Sequence, residues 1–490
     1  MELIVSAVAG DLVNRFISFM VNRYRSKENL SEKIEKLQEL LLRVHMIVEE
    51  ADARYITNSR MLLQLKKFVE VMYQGYHVLD AIKYNSLCSA TTENEVSRFQ
   101  DYIFSFRTSM NRLHTMNCTP ISHKLQTTLD NIESIASYMK EFILLLSGCE
   151  RMFQTPYDSY LYIDNIMFGR HVEKQQIINI VLQDNLPPFP PTVLPIIDGS
   201  RVGKKTLVAH VCNNEKVRSK FPSILHMNGE NIWRMENEPL MTQRSLVVIE
   251  FTSDVNDENW LKFYSSVRQM EEGSKILIVN RIAKLSRFGT VKPVRLNNLS
   301  HEEYSYLFKV LAFGSTNPEE HPQLASISND LAVALSGSLV TANVYADMLR
   351  RNQNARFWLS ILKKYRNVVE NNFSVFGEHP KNLMDKDHPI DITIFASSSS
   401  SSLSFATLRL MPPHIEVNDD SKRKLPKVIF GDMIAGTTVL PKEDFELVAW
   451  ESRIPPYKRF VNLATYCDDH KTSQDRTESP SNKRQRFIHE

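Results

Sequence analysis

The chain has 490 residues, which is too long for one ordinary hydrophobic core and predicts two to four domains. Its formal net charge of +2 gives no whole-chain reason to expect nucleic acid or an acidic membrane as a partner. Its 5 cysteines are widely spaced and include no Cys-x-x-Cys pair, which favours free thiols in a reducing compartment over disulfides or structural zinc.

The amino terminus, MELIVSAVAGDLVNRFISFMVNRY, is apolar but lacks the pattern of a signal peptide. Glu2 stands where a signal peptide carries positive charge, and Asp11 and Arg15 interrupt the apolar run. No later stretch offers about 18 uncharged apolar residues, so we expect no transmembrane segment and a cytoplasmic protein. The KRQR cluster at 483–486 also fits a nuclear address, although short basic runs are common in solvated tails.

Residues 1–150 are predicted to be helical, because they contain little glycine or proline and their apolar residues recur at helical spacing. In the second segment the apolar positions alternate steps of three and four and share one stripe: Ile34, Leu37, Leu41, Val44 and Val48. Similar stripes occur in the first segment and in residues 62–84 and 125–146. Four such helices would bury their stripes against one another as a four-helix bundle.

Residues 160–350 alternate short apolar runs with amphipathic stretches. The runs are rich in branched aliphatic side chains: LPIID (194–198), SILHM (223–227), SLVVIE (245–250) and KILIVN (275–280). This alternation is typical of an α/β domain in which helices cover both faces of a parallel sheet. The predicted fold class is therefore multidomain, with the bundle followed by an α/β domain.

The pattern weakens after residue 350. Residues 351–402 are predicted as a helix and a linker that ends in the serine run 397–402. Residues 403–466 contain strand-like runs, PKVIFGDMIAG (426–436) and FELVAWES (445–452), and are predicted as a small β-rich module. Residues 467–490 form a polar, charged tail that is expected to be disordered.

The segment IIDGSRVGKKTLVAHV (196–211) has the layout of a P-loop, with an apolar strand, a glycine-containing turn, a lysine and a helix. In such a turn, backbone N–H groups surround phosphate oxygens and the helix N-terminus adds positive dipole character. Lys204, directly after Gly203, would place its ammonium beside the β or γ phosphate. A purely structural strand, turn and helix is the alternative interpretation of this pattern.

The match to G-x-x-x-x-G-K-[ST] has two faults. The first glycine position holds Asp198, with Gly199 one position late, and the hydroxyl position holds Lys205. An ammonium has donors but no lone pair, so Lys205 cannot ligate magnesium. Thr206 follows, but helix geometry turns it by about 100° from that position.

Further segments occur in the order seen in plant NB-ARC proteins, which are intracellular immune receptors. They are MFGRHVEKQQIINIV (167–181), SLVVIEF (245–251), GSKILIVNR (273–281), VRLNNLSHEEYSYLFKVLAFGS (294–315) and SGSLVTANVYADMLR (336–350). Upstream, DARYITNSRMLLQLKKFVEVMYQGYHVLDAIKY (52–84) resembles the third helix of the Rx-type coiled-coil domain. The resemblance covers roughly residues 1–350 and divides them into an Rx-type bundle (1–150) and an NB-ARC domain (160–350).

The resemblance implies an ADP or ATP site. Phe168, Gly169 and Arg170 match residues that line the adenine side, and Arg281 matches an arginine that senses phosphate. The full set of implied nucleotide-binding residues is Phe168, Gly169, Arg170, Gly199, Ser200, Val202, Gly203, Lys204, Lys205, Thr206, Glu250 and Arg281. No catalytic residue and no metal ligand is predicted.

The departures from the family pattern concern catalysis first. The magnesium-associated aspartate of the family is Glu250 here, and the next acidic position, which would polarise a water, is Phe251. With Lys205 in the hydroxyl position, few oxygen ligands are left for magnesium. The proline of the late glycine-leucine-proline segment is Leu339, which affects a contact on the base side.

Other departures concern partners and extent. In the helix of the bundle that family members use as a contact surface, two acidic residues precede a valine. Here those two positions hold Tyr76 and His77, and Asp80 is the only acid left in this motif. After residue 350 we find neither the family's second helical subdomain nor a leucine-rich period.

Three functions are compatible with these residues. The first is a plant defence protein that binds ADP or ATP weakly, without efficient hydrolysis, and regulates or pairs with an immune receptor or a guarded host protein through its helical bundle. The second is a scaffold that binds proteins but no nucleotide. The third, a working ATPase, needs an acid to orient water and a metal site, and Phe251 and Lys205 remove both.

Overall fold

The computed structural model divides the chain into two compact units, Met1–Ala342 and Asn343–Glu490. It describes residues 30–52, 54–90, 121–150, 168–184, 191–197, 199, 201–229, 243–251, 253–267, 270–396, 406–412, 425–451 and 459–468. None of the helices in these ranges combines the length and apolar character needed to cross a membrane.

In the described residues of the amino-terminal part there are three long helices: α1 (Leu30–Asp52), α2 (Ser59–Ala90) and α3 (Ile121–Ser147). Their apolar stripes are buried against one another, and the rings of Phe68 and Phe142 meet edge to face with centroids 5.0 Å apart. The helical prediction is thus confirmed for the described residues. The predicted first helix of the bundle lies outside them.

Helices α1 and α2 approach each other closely at Gly75. A Cβ added at this glycine would lie 2.5 Å from the Cδ2 atom of Leu41. Glycine inside a helix costs about 1 kcal/mol relative to alanine, so its place here is explained by the contact and not by helix propensity.

The α/β part of the first unit contains a five-stranded sheet. Its elements are α4 (His171–Leu182), β1 (Thr192–Ile197), α5 (Lys204–Cys212), α6 (Glu215–Lys220), β2 (Ser223–Asn228), β3 (Ser245–Glu250), α7 (Asp257–Val267), β4 (Lys275–Val279) and β5 (Val294–Arg295). All strand pairs are parallel, and the strand order is β2-β3-β4-β1-β5. The four predicted strands and the parallel sheet are confirmed. The short β5 was not predicted, because two residues leave no periodicity to detect.

Helices cover both faces of this sheet, as predicted. Leu194 and Ile196 of β1 join the core under α4, α5 and α6, whereas Val193 joins the opposite core under α7. Successive side chains of a strand point to opposite faces, so each strand contributes to both cores. In a parallel sheet of this kind, ligands bind outside the carboxyl ends of the strands.

Two helices follow the sheet, α8 (His301–Phe313) and α9 (Pro322–Leu335). The hydroxyl of Ser300 accepts a hydrogen bond from the backbone N–H of Glu303 at 3.2 Å, and the Glu303 carboxylate accepts from the Ser300 N–H at 2.8 Å. This capping box fixes the start of α8.

The second unit contains a mixed sheet. The remaining elements are α10 (Leu339–Arg351), which begins at the end of the first unit, α11 (Ala355–Phe376), α12 (Pro380–Asp385), β6 (Ile390–Asp391), α13 (Thr393–Ala396), β7 (Ala406–Leu410), β8 (Lys427–Ile429), α14 (Phe430–Ala435), β9 (Phe445–Glu451) and β10 (Arg459–Asp468). The strand order is β6-β7-β10-β9-β8, with β8 and β9 parallel and the other pairs antiparallel.

One strand-like run of the second unit is mostly helical. Within residues 426–436 only Lys427–Ile429 is a strand, and Phe430–Ala435 forms α14. Phe430, Met433 and Ile434 are spaced three and one apart, which suits a helix face better than a strand. Gly436 then ends the helix at a φ of 75°, a conformation that glycine adopts without strain.

Candidate phosphate-binding site

Three described residues of the loop between β1 and α5 have left-handed backbone, which is common in anion-binding turns. Gly199, Arg201 and Gly203 have positive φ angles of 51°, 57° and 88°. Backbone that alternates left-handed with other conformations turns successive N–H groups toward one side, where they can surround an anion. Glycine is needed at position 199, since an added Cβ would strike the Val202 side chain and lie 3.1 Å from the Leu296 carbonyl oxygen.

Lys204 is the first residue of α5, and only 9% of it is exposed. Its Nζ atom donates a hydrogen bond to the carbonyl oxygen of Gly199. The ammonium therefore lies against the turn, at the positive end of the α5 dipole. Lys204 thus follows the turn and begins the helix, while phosphate binding by its ammonium stays a prediction.

Lys205 forms an ion pair with Glu250 at the carboxyl end of β3. The side chain of Lys205 is 64% exposed and that of Glu250 is 29% exposed. Strand β4 lies between β1 and β3 in the sheet. This ion pair therefore connects the loop after β1 to the end of β3 across strand β4.

The described residues at this edge, Lys205 and Glu250, do not fit a magnesium ion. Magnesium needs oxygen ligands in near-octahedral geometry. Lys205 offers no lone pair at the hydroxyl position, and its charge already neutralises Glu250.

Phe251 points into the core. It is 5% exposed, and its ring lies edge to face with Trp260 at a centroid distance of 6.3 Å. Trp260 in turn stacks on Phe288 at 4.6 Å. The position that would carry a water-polarising acid is thus part of an aromatic cluster on the α7 face of the sheet.

Asn280 was not among the predicted site residues. It follows β4 directly, is 2% exposed, and donates its backbone N–H to the Ile196 carbonyl oxygen at 3.1 Å. Its Oδ1 atom accepts from the Ile282 N–H, while its Nδ2 atom finds no hydrogen-bond partner in the described part of the chain. Arg281, predicted as the phosphate-sensing residue, is exposed. The sequence contained no pattern that would have identified Asn280, and not Arg281, as the buried residue of the two.

On the side predicted for adenine, Arg170 is 7% exposed and its Nη2 atom donates to the Asn297 carbonyl oxygen at 2.5 Å. Burial lowers the pKa of this guanidinium, and Glu173 and Glu303 oppose that shift. Gly169 has a φ of 68°, and an added Cβ would lie 3.3 Å from Leu299. Leu339 lies beside the loop, 3.7 Å from where a Cβ on Gly203 would be.

Phe168 contacts the helical bundle. Its ring stacks on Tyr306 of α8 at 5.9 Å and tilts against Tyr73 of α2 at 5.1 Å. Nearby, the His77 and His301 rings meet edge to face at 5.2 Å. We call these five residues the bundle contact.

The structure therefore groups the predicted residues into three places. Gly199, Val202, Gly203, Lys204, Lys205 and Glu250 meet at the carboxyl edge of the sheet, with Thr206 half-buried on α5. Gly169 and Arg170 lie near the start of α8, and Phe168 lies in the bundle contact. Ser200 and Asp198 are outside the described residues.

Comparison with known proteins identifies the relatives. The Rx N-terminal domain family matches residues 8–111. Disease resistance protein RGA2 of Solanum bulbocastanum is 20% identical over 376 residues, and the putative disease resistance protein RGA1 of the same species is 21% identical over 375 residues. Each alignment covers 71% of this chain and 37% of the relative.

Residues 8–111 thus resemble the Rx N-terminal domain, and most of the chain is similar to plant disease resistance proteins. The chain spans only about a third of the length of these curated relatives, 37% in both cases. Among solved structures, domain III from the Thermotoga maritima replication initiation protein DnaA matches 46% of this chain and 93% of its own length. Its identity of 13% and TM-score of 0.24 are too low for any function to be inferred from it.

Proposed function

We propose that this Rx-type resistance relative is a cytoplasmic plant defence protein that binds ADP or ATP weakly and does not hydrolyse ATP efficiently. In this proposal it acts as a regulator or partner of an immune receptor, or of a host protein that such a receptor guards. The names of its relatives support the defence role, since they are disease resistance proteins.

The observation that carries nucleotide binding is the position of Lys204. The lysine is buried against a turn in which Gly199, Arg201 and Gly203 have positive φ angles, and it begins a helix of 9 residues. The turn, the N-terminus of α5 and the Lys204 ammonium thus lie together, and these are the groups that bind a polyphosphate in a P-loop. Asn280, directly after the adjacent strand β4, is buried, and its Nδ2 atom has no hydrogen-bond partner among the described residues.

Two side chains support the absence of efficient hydrolysis. Phe251 cannot accept a proton and is buried in an aromatic cluster, so no carboxylate stands at that position to orient water. Lys205 holds Glu250 in an ion pair where the metal-binding groups of a P-loop would lie. We therefore propose binding without turnover.

The role of the bundle as the partner surface is supported by its exposed apolar residues. Leu42 and Met46 on α1 are 62% and 42% exposed, and Leu144 on α3 is 73% exposed. Exposed apolar side chains of this size are typical of protein contact surfaces when they cluster.

A scaffold that binds no nucleotide is the second candidate. It is favoured by one observation, the hydrogen bond from Lys204 to Gly199, because a lysine that only closes its own turn would make the same contact.

Thermal unfolding with ADP or ATP separates the two. A ligand that binds only the folded chain raises its stability by RT ln(1 + [L]/Kd), so millimolar nucleotide should raise the melting temperature even when binding is weak. Lys204→Ala should remove most of this rise, whereas Lys262→Ala, a change at an exposed lysine of α7, should keep it. An unchanged melting temperature at millimolar ADP and ATP, with and without magnesium, would favour the scaffold. Phosphate release abolished by Lys204→Ala would favour the ATPase.

A further inference from the structure

We propose that the Lys205 ammonium takes the place of the divalent cation in this loop. The ligand is then the uncomplexed nucleoside di- or triphosphate and not its magnesium complex. This inference rests on the proposed nucleotide binding and specifies the form of the ligand.

The position of Lys205 is the first support. In a P-loop the residue after the lysine supplies a hydroxyl oxygen to magnesium, and an acid from a neighbouring strand completes the metal's environment. Here these two positions are Lys205 and Glu250, and they are joined directly to each other. The positive charge that magnesium ordinarily brings to the phosphates is therefore supplied here by the Lys205 side chain on α5.

The two partners differ in their freedom to move. Glu250 is 29% exposed and belongs to β3, which pairs on both sides within the sheet. Lys205 is 64% exposed and carries its charge on a flexible stem. Its ammonium has three donors, so it can keep Glu250 as one acceptor and offer another N–H to a phosphate oxygen.

The two acidic residues that follow β3 most closely in the described part of the chain form ion pairs with an arginine. Downstream of β3, Asp254 and Asp257 both pair with Arg287, at 3.1 Å and 2.7 Å. Phe251 is buried and has no oxygen to offer. Among the described residues, the two carboxylates that follow Glu250 most closely in sequence are thus engaged by a guanidinium.

The charge of the loop also favours an uncomplexed ligand. By sequence, Arg201, Lys204 and Lys205 bring three positive charges to the loop against the two negative charges of Asp198 and Glu250, an excess of one. Uncomplexed ADP or ATP is strongly negative and complements this excess, whereas magnesium bound to the phosphates adds two positive charges close to Lys205. Like charges at such short range oppose each other. Magnesium should therefore weaken nucleotide binding to this chain.

The test is the dissociation constant of a fluorescent ADP analogue for the full chain, measured in EDTA and in millimolar magnesium. For the wild type we expect binding in EDTA that millimolar magnesium weakens by up to about tenfold. Lys205→Thr restores the hydroxyl and should reverse the order, with tighter binding in magnesium. Lys205→Met, which removes the charge without adding oxygen, should weaken binding in EDTA. The exposed Lys262→Ala should behave as the wild type.

The outcomes separate this inference from the proposed function. Wild-type binding that magnesium tightens or leaves unchanged, or that disappears in EDTA, would overturn the inference and leave nucleotide binding intact. No binding in either condition would overturn both. Because Lys205 is exposed, its variants should fold, and magnesium titration into the wild-type complex tests the inference without any variant.

Discussion

The ammonium of Lys309 on α8 donates a hydrogen bond to the carboxylate of Asp80 on α2. The two side chains are 16% and 27% exposed, so the pair is partly shielded from water. Asp80 is the acid that remains in the contact helix of the bundle, and its partner lies on the α/β part of the same unit. Lys83 on the next turn of α2 pairs with Glu319 at 2.5 Å and extends this contact.

Removing the Asp80 carboxylate should loosen the bundle from α8. We expect Asp80→Asn and Lys309→Met each to lower the free energy of unfolding by about 1–2 kcal/mol, between the values for exposed and buried pairs. A double-mutant cycle from urea unfolding of the full chain measures the coupling. The more exposed pair Lys386 and Glu378 serves as the control and should couple by less than about 0.5 kcal/mol. Equal coupling in both cycles would contradict this prediction.

Phe168 should matter to the bundle contact and less to the nucleotide. Its ring packs on Tyr73 and Tyr306, so Phe168→Ala should destabilise the first unit by about 2 kcal/mol, less than for a fully buried phenylalanine. Hydrogen exchange in residues 59–90 and 301–313 should become faster. Phe168→Leu, which keeps much of the volume, is the matched control. If Phe168→Ala instead weakened ADP binding while exchange stayed as in the wild type, the adenine-side role implied by the family resemblance would be favoured.

The parts of the fold that were predictable have a local cause. Strand β3 was predicted to the residue because SLVVIE is a run of branched aliphatic side chains between polar ones, and Lys204 was placed by its glycine and the following helix. Helix α14 was not predicted, because it follows strand β8 directly. Phe430 and Ile434, taken at alternate positions, look like a continuation of that strand.

The parts of the site that were not predictable depend on contacts distant in sequence. Lys205 and Glu250 pair only because β1 and β3 lie on either side of β4, and strand order is not written in the local pattern. The buried state of Asn280 likewise depends on hydrogen bonding to Ile196 of a neighbouring strand. Phe168 carries the family motif, but its contacts are set by how α2 and α8 pack.

Restoring an acid at position 251 should not restore hydrolysis. Phe251 is 5% exposed among aromatic rings, so Phe251→Asp would bury a carboxylate without a partner. We expect a loss of more than about 3 kcal/mol in stability and no increase in phosphate release. Phe251→Leu should cost about 1 kcal/mol and leave nucleotide binding as it is. A stable Phe251→Asp variant that releases phosphate from ATP would show that this side chain can reach the loop.

Acidification should weaken the bundle contact through His77 and His301. Burial, followed by the neighbouring His301, lowers the pKa of His77 from its usual 6.5, and burial also lowers the pKa of His301. Lys124 adds to both shifts, while Glu302 and, for His77, Asp80 oppose them. The folded chain therefore binds fewer protons than the unfolded chain near and below pH 6.5, so the free energy of unfolding falls as the pH falls.

The measurement is thermal unfolding at about pH 7.5 and about pH 5.5, on either side of the ordinary histidine pKa. The wild type should lose stability between the two, and His77→Phe, which cannot take a proton but keeps a ring against His301, should lose less. The exposed His388 of the second unit provides the matched control, and His388→Gln should keep the wild-type pH dependence. If His77→Phe and His388→Gln showed the same loss as the wild type, the acid sensitivity would have to come from other groups. The sign is fixed by the direction of the two pKa shifts, because a raised pKa would have made the contact stronger in acid.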